Sequence, residues 1–68
     1  MRDRFIKRYR DNILAYFSYK GTGEGRRAIL YVISEYERIL EEEFNLTHEE
    51  VRSIYYEIYS DYYTEVSK

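Results

Sequence analysis

The side chains that could do chemistry are few and poorly placed for it. His48 is the only histidine and there is no cysteine. A lone imidazole with no second nitrogen or sulfur ligand makes a poor metal site, so a surface or capping-turn role is expected for it. Carboxylates crowd the middle of the chain at Glu41, Glu42, Glu43, Glu49 and Glu50. In such polar company they read as a solvated face rather than an acid–base pair. No serine, histidine and acid fall at a spacing that points to a nucleophile. The expectation is a protein that is not an enzyme, with no cofactor, no metal and no small-molecule substrate.

The glycine-rich stretch "GTGEGRR" is the other chemical candidate, because its amides open a helix beside Arg26 and Arg27. Amides and arginines together can hold an anion. The spacing matches neither the P-loop nor the dinucleotide fingerprint, and a helix rather than a strand precedes it. A helix–helix turn is the expected role, with Gly21 as a left-handed C-cap.

Sixty-eight residues suit a single domain with one modest core. A chain this short buries a small share of its surface, so self-association as a homodimer is a reasonable way to gain burial. No apolar run approaches the roughly 18 residues of a membrane span, and "MRDRFIKRYR" lacks the apolar core of a signal peptide. With no cysteine in use, a cytoplasmic location and no membrane partner are expected. The net charge of −2 hides a division: residues 1–30 carry eight Lys/Arg against three acids, and residues 31–68 carry three against ten. A basic helix lying against acidic ones, in one chain or across an oligomer, is the simplest reason for that polarity.

Three apolar stripes at helical spacing organise the chain. Phe5, Ile6, Tyr9, Ile13, Tyr16 and Phe17 mark a helix over about 2–20, with Arg4, Lys7, Arg8 and Asp11 opposite. Ile29, Val32, Ile33, Tyr36, Ile39, Leu40 and Phe44 mark a second over about 25–44, with Glu37, Arg38, Glu41 and Glu42 pointing away. Glutamates in its last turns oppose the helix dipole and invite pairing with arginines of the first helix or of a partner. "THEE" is a capping box in which Thr47 and Glu50 satisfy each other's backbone amides, with Leu46 placed to staple onto Val51. It starts a third helix over about 47–66, whose stripe is Val51, Ile54, Tyr55, Ile58, Tyr59, Tyr62 and Val66. Short loops favour antiparallel neighbours. The expected fold is an all-α three-helix bundle.

With Asn45 at the turn, Leu40, Phe44, Leu46, Val51 and Ile54 fall on the buried positions of a helix-turn-helix, and Thr47 starts the recognition helix. The stretch resembles that motif in apolar spacing, although Glu41 stands where close packing prefers a small residue. The resemblance implies DNA reading by residues such as Arg52, Ser53 and Tyr56, with phosphate contacts from Arg26, Arg27, Arg4 and Arg8. DNA affinity depends on phosphate neutralisation, and His48, Glu49, Arg52, Ser53 and Tyr56 include one arginine among them. Nucleic acid is therefore the alternative partner.

The tyrosines point to protein. There are ten, five of them after residue 54, and arginine outnumbers lysine eight to three. Both residue types are enriched at protein interfaces. Tyr56, Tyr59, Tyr63, Arg52 and Tyr31 exceed what one small core can absorb. The leading reading is a regulatory or adaptor protein that binds another protein, itself, or both, through the tyrosine edge of the third helix. The acidic corner between helices two and three would steer the encounter.

Overall fold

The computed structural model describes residues 1–66, with side chains through residue 64. Val66 and Lys68, used above for the third stripe and the charge balance, have side chains outside that range. Three α-helices and no strand are present among the described residues: α1 (Arg2–Ser18), α2 (Gly23–Glu42) and α3 (His48–Val66). The all-α three-helix bundle is the expected one. The first two helices stop two residues short of their expected ends, and α2 starts two residues early.

The α1–α2 turn differs from expectation for a physical reason. No glycine has positive φ, so Gly21 is not a left-handed cap. Instead α1 ends at Tyr19 in extended backbone (φ −70°, ψ 130°), and Thr22 caps α2, its hydroxyl accepting from the Gly25 N–H at 3.2 Å. Arg26 reaches back from α2 and donates to the Tyr19 carbonyl at 3.2 Å, closing the end of α1 with a cation. A Cβ at Gly21 or Gly25 would run into the Tyr19 ring and hydroxyl. These glycines are there for missing bulk, not for handedness.

The α2–α3 corner supplies the left-handed residue. Asn45 has φ 58° and is the only non-glycine with positive φ among the described residues; asparagine tolerates that region better than most side chains. The Leu46 N–H then donates to the Leu40 carbonyl at 3.0 Å. The capping box forms as expected, with Thr47 N–H to Glu50 and Glu50 N–H to the Thr47 hydroxyl both at 3.1 Å. Leu46 packs on the core beside it.

Ring and hydrogen-bond partners set the topology. Phe5 meets Phe44 and Tyr36 at centroid distances of 5.3 and 6.1 Å, while Arg26 lies 5.7 Å over Tyr16, so α1 and α2 are antiparallel. Tyr9 touches the Val51 carbonyl and Phe17 meets Tyr62, so α1 and α3 run parallel. Tyr9, Ile13, Ile33, Leu40, Val51 and Ile58 form the buried core. Contacts are richest between α1 and α2 and sparsest between α2 and α3. Three aligned helices spaced by 8–10 Å would be about 20 Å wide. The second extent of 28 Å therefore shows that the helices splay.

Candidate protein-binding surface

Along α3, Arg52, Tyr56, Tyr59 and Tyr63 recur at four-, three- and four-residue steps, which places them in one row. The three tyrosines are 55%, 46% and 45% exposed. They do not hang loosely from the helix. Phe17 of α1 backs the row, with ring centroids 5.7 Å from Tyr55 and Tyr59, 5.6 Å from Tyr62 and 5.9 Å from Tyr63. Tyr59 and Tyr63 lie 4.6 Å apart. Tyr62 turns inward and donates to the Phe17 carbonyl at 3.4 Å. The edge is thus a partly ordered aromatic sheet, with little side-chain freedom left to lose on binding.

Arg52 closes one end of the row. Its guanidinium donates to the Tyr56 hydroxyl at 3.1 Å and lies 5.4 Å from that ring's centroid. The bond to Tyr56 raises the Arg52 pKa above its ordinary value. Tyr55, half-buried behind, has its phenol raised by burial and then by the neighbouring Tyr16.

Tyr31 is elsewhere. It is 68% exposed and lines a hollow of about 280 Å³ with Phe5, Val32, Glu35, Tyr36 and Ile39. The five expected interface residues therefore form two surfaces, the α3 row and a groove between α1 and α2. Val32 and Ile39, counted in the core stripe of α2, belong to that groove.

Glu37 also corrects the sequence reading. It does not point away but is half-buried, and it accepts the Tyr9 hydroxyl at 2.8 Å. Tyr9 has no exposed surface. Burial and then this bond raise its phenol well above the ordinary tyrosine range. The available signal was a tyrosine at the centre of a core stripe, because a buried hydroxyl needs a partner.

The expected cross-helix charge pairing is sparse. Arg10 meets Glu57 of α3 at 3.6 Å. Glu42 pairs with Arg38 of its own helix at 3.0 Å, and Glu41 lies 3.7 Å from His48. Among the described residues Arg2, Arg4 and Arg8 are exposed and make no ion pair. Arg26 is turned onto Tyr16 and Tyr19, and Arg27 donates to the Gly23 carbonyl. Tyr16 is roughly 12 Å along α1 from Arg8 and 18 Å from Arg4. Ser53 is exposed beside Arg52.

Among the described residues no cluster of three or more His, Asp or Glu could hold a metal ion, and no helix is long and apolar enough to cross a membrane. No protein-family model, curated protein or solved structure matches this chain.

Proposed function

We propose that this chain is a non-enzymatic adaptor or regulator, working in the cytoplasm, that binds a partner protein through the Arg52–Tyr56–Tyr59–Tyr63 row of α3. One observation carries the reading: three tyrosines stand in a row, each about half exposed, with Tyr59 and Tyr63 held by the ring of Phe17 and Tyr56 by Arg52. The spacing suits an apolar strip or helix laid along α3, with Arg52 donating to a carboxylate at one end. Glu41, Glu42, Glu43, Glu49 and Glu50 gather at the corner where α3 begins and favour approach by basic surfaces.

The test is affinity capture from the native host with the wild-type chain and with a Tyr56→Ala/Tyr63→Ala variant. A partner retained by the first and lost by the second is expected. Equal retention by a folded variant removes the α3 row from the function. DNA reading makes the opposite prediction, a duplex mobility shift that weakens with salt and with Arg52→Ala. The separation of Arg4 and Arg8 from Arg26 and Arg27 weighs against it, so no shift at low salt is expected.

A further inference from the structure

We infer that a second copy of this chain docks on the α1–α2 groove, pairing the two copies about a two-fold axis parallel to these helices. The groove lies on the opposite side of the α1–α2 pair from α3, so the inference does not depend on the α3 row being a binding edge. Its floor is apolar, formed by Phe5, Val32, Tyr36 and Ile39, with Tyr31 projecting from the α2 side. Beside Phe44 it runs on into a second hollow that shares Phe5 and Ile39 and is edged by Arg38 and Glu43. The apolar stripe of α2 is therefore wider than α1 and α3 together can cover.

The lips of the groove carry opposite charge, and this selects the occupant. On the α1 lip Arg8 lies one turn beyond Phe5, and Arg4 one turn before Arg8. Both are exposed and without an ion pair among the described residues. The α2 lip carries Glu35, Glu42 and Glu43, with Arg38 bridging the first two at 2.9 and 3.0 Å. That leaves an acidic surplus facing a basic one. Phe5 packs level with the stretch between Tyr36 and Phe44, which sets Arg8 near the height of Glu35 and Arg4 near that of Glu42.

A two-fold axis along the helices keeps each height and exchanges the lips. Arg8 and Arg4 of each copy then face Glu35 and Glu42 of the other, and α1 lies antiparallel to the partner's α2. Tyr31 comes level with Asn12 and Ala15 across the interface, where short side chains leave it room. An axis perpendicular to the helices would set basic lip against basic lip, which opposes it. A face roughly 28 Å long and 18 Å wide gives about 1,000 Å² removed in a pair, at the threshold for a biological interface. The dimer is a four-helix layer of α1 and α2 from each copy, with both α3 rows left outward.

Sedimentation across a range of micromolar concentrations tests the inference, with far-UV circular dichroism showing that each variant folds. The wild-type chain is expected at twice its monomer mass. Arg8→Glu alone and Glu35→Arg alone each weaken the dimer by roughly tenfold or more. The combined variant restores it, because each copy then offers the exchanged charges. A monomeric wild-type chain overturns the inference. So does a dimer that ignores these charge reversals but is lost in the Tyr56→Ala/Tyr63→Ala variant, since it would place the second copy on α3. Equal partner capture by wild type and the Tyr56→Ala/Tyr63→Ala variant, with a charge-sensitive dimer intact, would count against the α3 reading alone.

Discussion

Replacing Tyr9 by Phe removes one oxygen from the centre of the bundle and leaves the ring in place. That oxygen donates to Glu37 at 2.8 Å and lies 3.5 Å from the Val51 carbonyl. A hydrogen bond to a charged acceptor contributes about 1.5–3 kcal/mol. Glu37 is half-buried and can recover water, which trims the loss, and Phe leaves no cavity. The expected destabilisation at neutral pH is about 1–2 kcal/mol, read as a lower urea midpoint with an unchanged slope. Alkali supplies a second readout. The folded phenol titrates above its ordinary value of 10.0 because burial and Glu37 disfavour the phenolate. Below that ordinary value its contribution is complete, and it is lost as pH rises from there toward the folded value. By pH 11 this single group costs the wild-type chain about 1.4 kcal/mol, while Tyr9→Phe has nothing there to titrate. The two stability curves should therefore converge with rising pH. Parallel curves, or a variant as stable as wild type at pH 7, would refute the argument that this hydroxyl is buried and bonded.

Other perturbations probe the turns. Thr47→Ala and Glu50→Ala each break one arm of the capping box and should each cost about 1 kcal/mol by thermal unfolding. Because the arms are reciprocal, the double variant should lose less than the sum. Asn45→Gly should be neutral or slightly stabilising, whereas Asn45→Val should cost about 1–2 kcal/mol by forcing a β-branched residue to positive φ. Gly25→Ala should gain little, since its methyl displaces the Tyr19 ring. In a Tyr19→Ala background the same change should recover up to about 1 kcal/mol of helix propensity, measured as a shift in midpoint.

The parts legible in the sequence were those written by local periodicity and backbone chemistry. Three stripes at helical spacing gave three helices, and "THEE" gave a cap whose two bonds both form, because each depends on residues within a few positions. The glycines misled. Positive φ and missing bulk call for the same residue, and only the path of the Tyr19 ring distinguishes them. Glu37 misled for a related reason: one helical wheel cannot show that a neighbouring helix delivers a hydroxyl to it. Tyr31 was grouped with Tyr56, Tyr59 and Tyr63 on composition, although the packing of α1 against α2 and α3 sends them to different faces.

By itself the sequence determined that this chain is helical, where α3 starts, and that it has more aromatic surface than one small core can hold. These properties follow from residue type and spacing within a turn or two. The tertiary structure decided which aromatics are spare, because exposure depends on how far α2 and α3 splay and on what Phe17 can reach. It also decided that Arg8 and Arg26, both in the basic half of the chain, stand apart, with Arg26 turned onto Tyr16 and Tyr19. Packing sets direction, and one-dimensional order carries no record of it.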